Sequence, residues 1–173
     1  MMKKVILLPL IALFFSGCVS GYEDVSIDNP NALVMFEKGY DSAANNNLMQ
    51  AYVIYENGDC NTPKNAAQFT MFQGEAKERR VSATQPLVFL AVINEQTPTS
   101  YNEILAETCA FKAEFQPKSG GKYRIRQAGV GGNCKISVTD MMTGQTVSDV
   151  DITGAFANDT ERKNVLGYSC PAP

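Results

Sequence analysis

From Ala32 onward, apolar and polar residues alternate with a period of two over several stretches of the chain. Successive side chains of a strand point to opposite faces, so this period predicts half-buried strands. Ala32 to Glu37 is a short apolar run. Met49 to Glu56 is rich in aromatic and β-branched residues, with Asn45-Asn46-Asn47 before it and Asn57-Gly58-Asp59 after it. Gln68 to Gln73 reads as a further strand, and Arg80 to Ala83 as a weaker one. Leu87 to Ile93 is apolar throughout, which predicts a strand buried on both faces.

The clearest alternation runs from Cys109 to Asp140. Cys109, Phe111, Ala113 and Phe115 alternate with Ala110, Lys112 and Glu114; after Pro117 to Gly121, Tyr123 and Ile125 alternate with Lys122, Arg124 and Arg126. Gly129, Gly131 and Gly132 form the next turn, and Cys134, Ile136 and Val138 alternate with Lys135, Ser137 and Thr139. These three segments read as an antiparallel meander with one apolar face. A last strand is expected near Thr146 to Ile152. Residues 99–107 read as a short helix capped by Thr99 or Ser100, with Glu103 and Glu107 on one face. Strands at this spacing predict an all-β, two-sheet antiparallel β-sandwich with at most one short helix.

The first eighteen residues follow another pattern. Lys3 and Lys4 precede an apolar stretch, Val5 to Phe15, and the small residues Ser16 and Gly17 precede Cys18. That is the layout of an export signal. Eleven apolar residues are too few to cross a bilayer, which takes about 17–25 in a helix. The ending Leu13-Phe14-Phe15-Ser16-Gly17-Cys18 resembles the lipobox of bacterial lipoproteins, with Phe15 where Leu is usual. The resemblance implies cleavage after Gly17 and a diacylglyceryl thioether, with further acylation by a chain such as palmitate, on Cys18. It also implies that Val19 and Ser20, in place of an Asp, direct the protein to the outer membrane. The expected organisation is a signal peptide over 1–17, a lipidated N-terminus and tether over 18–31, and one domain over 32–173.

Five cysteines are an odd number for an exported chain. With Cys18 assigned to lipid, Cys60, Cys109, Cys134 and Cys170 can pair completely in an oxidising compartment. Cys109 and Cys134 fall on the apolar faces of their strands and at one end of the domain. This favours Cys109–Cys134 across the sandwich with Cys60–Cys170 by elimination. The alternative is Cys60–Cys109 with Cys134–Cys170. The cysteines are too widely spaced for the CxxC pattern of a zinc or redox site.

Composition narrows the chemistry. The chain has no His, which excludes Ser-His-Asp triads, Cys-His dyads and His metal sites. It has no Trp, the commonest platform for stacking sugars. Cleavage after Gly17 would move the formal net charge from −3 to −5, because Lys3 and Lys4 leave. Such acidity argues against nucleic-acid binding. Lys122, Arg124 and Arg126 form a basic row, read first as a solvated face paired with Glu114. Glu75 to Arg80 reads as a polar turn. Gly129 to Gly132 leads into a strand, so it is a hairpin turn and not a phosphate loop. Tyr52 and Tyr55 lie on opposite faces of one strand, so one of them is expected to be exposed.

A second resemblance rests on Cys109, Phe115-Gln116-Pro117, Gly121-Lys122-Tyr123, Cys134 and Asp140 to Val147. The pattern is similar to that of small envelope lipoproteins with an immunoglobulin-like or transthyretin-like sandwich, which implies the fold and no activity. The functional expectation is a non-enzymatic envelope lipoprotein without cofactor or metal. It would be held to the membrane by lipid on Cys18 and act through contacts with an envelope protein as an assembly or accessory component. The alternatives are a ligand- or glycan-binding module, with an exposed aromatic row on one sheet, and a His-free hydrolase, with a cleft holding two carboxyls or a Ser–Lys pair.

Overall fold

A computed structural model describes residues 21–39, 48–55, 63–69, 76–98, 104–129 and 134–153. Those residues form nine strands: β1 (Asn31–Glu37), β2 (Leu48–Tyr55), β3 (Pro63–Phe69), β4 (Ala76–Ser82), β5 (Leu87–Pro98), β6 (Ile104–Phe115), β7 (Lys122–Ala128), β8 (Lys135–Asp140) and β9 (Asp151–Thr153). They build a four-stranded sheet, β4-β1-β7-β8, and a five-stranded sheet, β3-β2-β5-β6-β9. The chain is an all-β, two-sheet sandwich, as the alternation predicts. All pairings between neighbouring strands are antiparallel except β1 with β7, which is parallel.

Alternation places the core. Ala32, Val34 and Phe36 of β1, and Tyr123 and Ile125 of β7, point inward from the smaller sheet. Tyr52, Ile54, Phe69, Leu87, Phe89, Ala113 and Phe115 meet them from the larger one. Ring pairs cross the interface: Phe36 lies 5.0 Å from Tyr52 and Phe115 lies 5.1 Å from Tyr123, centroid to centroid. Burying each large apolar side chain contributes roughly 1.5–3 kcal/mol. Leu87 to Ile93 of β5 are apolar throughout because that stretch is central and buried on both faces. Its other face carries Val88, Leu90 and Val92, which join Val53, Tyr55 and Ala110 in a second buried cluster.

The expected meander does not form. β6 lies in the five-stranded sheet, while β7 and β8 form a hairpin in the other. Residues 116–121 therefore carry the chain between sheets. Pro117 offers no backbone N–H, Gly120 has φ of +74° and Lys118 N–H donates to the Tyr123 hydroxyl at 2.9 Å. A tyrosine hydroxyl bonding back upstream is a recurrent corner of immunoglobulin-type sandwiches. Alternation tells which face is apolar, not which strand is the neighbour, so it does not separate a hairpin from a crossover.

The expected helix over 99–107 is also corrected. Residues from Ile104 onward are strand, because β6 pairs with β5 from Leu87↔Phe115 to Pro98↔Ile104. Glu107 sits in that ladder opposite Glu95, and Glu103 lies outside the described residues. Lys77 to Arg80 are not a turn but part of β4, an edge strand, where charge blocks unwanted pairing. Glu75 lies outside the described residues. The strand expected over Gln68 to Gln73 begins earlier, at Pro63, because β2 offers a ladder back to Tyr55↔Pro63. Pro fits there as the first residue of a strand. In place of one strand over Thr146 to Ile152, Thr146 makes a single bridge to Thr139 and β9 follows.

The two ends of the sandwich differ. At one, residues 83–86 and 116–121 cross between the sheets, so Ser82, Leu87, Phe115 and Lys122 lie there together. Gln116 ties the crossovers by donating to the carbonyls of Ala83 at 3.0 Å and Gln85 at 3.3 Å. The other end holds Glu37, Ala76, Ala128 and Lys135. Across one open side runs residues 21–30. Gly21 bridges Asn65 of β3 and Val25 N–H donates to the Arg80 carbonyl of β4 at 3.0 Å. Asp24 pairs with Arg79 at 3.9 Å, while Arg79 Nε donates to the Ala66 carbonyl at 2.8 Å. From Gly21 onward, the segment expected as a tether is thus bonded to the body of the domain.

Candidate functional site

The outer face of the four-stranded sheet carries the basic row. Lys122, Arg124 and Arg126 alternate with the buried Tyr123, Ile125 and Gln127 and point to solvent. Register extends the row sideways: Arg80 of β4 is opposite Leu33, and Lys135 of β8 is opposite Ala128. Leu33 and Met35 lie half-buried along the middle, between Arg80 and Glu78 on one side and Lys122 and Arg124 on the other. Glu37 is the acidic partner. It lies 3.6 Å from Arg124 and 3.9 Å from Arg126. Glu114, expected in that role, is on β6 in the other sheet. Both arginine side chains stay about half exposed, so these pairs contribute about 0–1 kcal/mol each.

Behind this face, at the end away from the crossovers, is a buried polar network that sequence reasoning missed. Gln50 and Gln127 are fully buried. The Tyr52 hydroxyl donates to the Glu37 carbonyl at 2.8 Å and accepts from Gln127 N–H at 2.9 Å and Gln50 Nε2 at 2.8 Å. Gln50 Nε2 also donates to the Gln127 carbonyl at 3.1 Å, and Gln50 Oε1 accepts from Gly39 N–H at 2.9 Å. Gln127 Nε2 donates to the Cys109 carbonyl at 2.9 Å. Both sheets are joined by these bonds, each of which would leave a buried polar group unpaired if cut. The signal was present in the sequence: Gln50 and Gln127 occupy apolar-face positions, in step with Tyr52 and with Tyr123 and Ile125.

The disulfide lies beside this network. Cys109 and Cys134 are bonded, with Cα atoms 6.1 Å apart, and link β6 to the residue before β8 across the sandwich. This is the favoured pairing of the two expected from sequence. A bridge closing a loop of this size is typically worth roughly 3 kcal/mol. Cys18, Cys60 and Cys170 lie outside the described residues.

The tyrosines correct an expectation. Neither Tyr52 nor Tyr55 is exposed: Tyr52 faces the core and Tyr55 packs into the second cluster. Burial pushes the Tyr55 phenol up to about 12. Burial raises Tyr52 further, against the smaller opposing effect of the Gln127 N–H bond. Among the described residues the exposed large apolar side chains are Ile27, Met141, Met142 and Ile152, none of them aromatic.

Chemistry in the remaining grooves is sparse. One groove brings together Gln116, Lys118, Tyr123, Asp140 and Asp149. There Asp140 Oδ1 accepts from Met142 N–H at 2.8 Å, so that carboxylate holds its own turn. Among the described residues no three His, Cys, Asp or Glu side chains gather as a metal site, and no helix is long and apolar enough to cross a membrane. Compared with known proteins, the chain matches no family model and no curated protein.

Proposed function

We propose that this chain is an envelope lipoprotein, anchored to the outer membrane by lipid on Cys18, that acts through protein–protein contacts as an assembly or accessory component. The anchor rests on the basic start, short apolar run and small-small-Cys ending of residues 1–18. The contact surface in this reading is the outer face of the four-stranded sheet. One observation carries that choice: five cations, Arg80, Lys122, Arg124, Arg126 and Lys135, share a face with only Glu37 and Glu78, in a chain of net negative charge. Leu33 and Met35 supply a half-buried apolar centre, and more basic than acidic side chains flank it, a layout suited to an acidic protein surface.

The reading is tested in envelopes by placing a photo-crosslinking side chain at Met35. A discrete crosslinked species is expected, and Arg124→Glu with Arg126→Glu should weaken it at least severalfold. A crosslink indifferent to charge reversal would remove the basic face from the reading. Intact mass of the N-terminal peptide tests the anchor: an unmodified Cys18 in a soluble fraction would end it.

A further inference from the structure

Four large apolar side chains are exposed among the described residues, and all four lie toward the crossover end. Ile27 is 72% exposed, Met142 70%, Met141 47% and Ile152 44%. Ile27 precedes β1, whose first residue Asn31 is opposite Ser82 at the end of β4. Met141 and Met142 follow β8, whose last residue Asp140 is opposite Tyr123 at the start of β7. Ile152 is opposite Ala113, near the end of β6.

The described chain begins at Gly21, on the open side of the sandwich. Gly21 pairs with Asn65 of β3, two residues from Pro63, and Pro63 is opposite Tyr55, which pairs with Val88 near the start of β5. The bridge is parallel, so at Gly21 the backbone runs in the sense of β3, away from the crossover end. Three residue steps separate Cys18 from Gly21, a reach of at most about 11 Å. A free tether over 18–31 would instead have a mean span of roughly 20 Å, and several times that reach would be available at full extension.

From the short reach and these exposed apolar side chains together, we propose that the crossover end is a membrane-contacting surface. It lies on the lipid headgroups, with Ile27, Met141 and Met142 at the acyl boundary, as a second contact beside the lipid. This rests on the lipoprotein reading of Cys18. The occupant is a bilayer surface because a covalent lipid on Cys18 would hold Gly21, whose chain runs away from the crossover end, within about 11 Å of it. In this orientation the basic sheet face stands to the side of the domain, open to a protein partner.

The absence of Trp makes a single introduced Trp a clean depth probe. The full chain, with lipidation of Cys18 verified by intact mass, is reconstituted into phosphatidylethanolamine–phosphatidylglycerol vesicles with brominated acyl chains. Fluorescence of Met142→Trp should fall at least twofold relative to unbrominated vesicles, while that of Lys135→Trp, at the disulfide end, should not change. Twelve Gly/Ser residues inserted after Ser20 should leave some quenching of Met142→Trp, because the apolar side chains retain affinity of their own. Equal fluorescence of both probes in the lipidated protein overturns the surface and leaves the anchor standing. Protection of Met142→Trp only in native membranes, and not in vesicles, also overturns it in favour of a protein contact. A Cys18 without lipid sinks the anchor itself.

Discussion

The crossover end and the disulfide end of this sandwich are held by different forces. At the disulfide end a covalent bond, two buried glutamines and a tyrosine hydroxyl tie both sheets together, and each polar group depends on its neighbours. At the crossover end the sheets are joined by chain connections and by bonds such as Gln116 to two carbonyls, and apolar side chains face outward. A buried polar network tolerates little change, because an unpaired group in low dielectric costs more than a paired one returns. An exposed apolar turn tolerates much. The difference separates a part of the molecule that specifies the fold from one free to serve contact.

The largest expected effect belongs to Gly39→Ala. A Cβ there would overlap the backbone carbonyl of Gln127, which cannot swing aside as a side chain can, so the network must move apart. The expected loss is about 3 kcal/mol in urea unfolding. A loss under about 1 kcal/mol would show that the disulfide end yields more easily than its packing implies.

Tyr52→Phe comes next. It removes one hydroxyl and leaves the Glu37 carbonyl, Gln127 N–H and a Gln50 Nε2 hydrogen without that partner. A loss of about 2 kcal/mol is expected at neutral pH. The same variant sharpens an alkaline test. Tyrosines of the unfolded chain ionise near pH 10, whereas Tyr55 in the fold does so at about 12 and Tyr52 higher still. Between those values the folded state holds more protons, so stability must fall as pH rises. Unfolding measured across that window should show the fall, and Tyr52→Phe should show a shallower one.

The smallest effect is expected from Met141→Ser with Met142→Ser at the crossover end. Both side chains are exposed, so stability should stay within about 0.5 kcal/mol. Release of vesicle contact in the same variant, with stability unchanged, would separate the two ends by role as well as by construction.

Much of the fold was legible. β1, β2, β5, β7 and β8 were visible as alternation or as a continuous apolar run, because burial on one face or two writes itself directly into residue order. The inward faces of Cys109 and Cys134 marked the bridge that forms. The crossover at 116–121 was not legible, since a turn between alternating segments looks alike whether the next strand joins the same sheet or the other. The strand character of Ile104 to Thr108 came from a long ladder with β5 and overrode local helical spacing. The acidic partner of the basic row was misplaced for the same reason: Glu37 lies far away in sequence and beside Arg126 only through the parallel β1–β7 pair.

Residue order alone determined the all-β class, the inward faces and the absence of histidine chemistry, because these follow from side-chain type and a period of two. Only the tertiary structure decided which strands are neighbours, that Gln50 and Gln127 bond backbone carbonyls of the opposite sheet, and that residues 21–30 belong to the body of the domain. It also gathered Ile27, Met141, Met142 and Ile152 at one end. Neighbourhood between distant segments is chosen by the summed packing of both sheets, and no local stretch of chain holds that information.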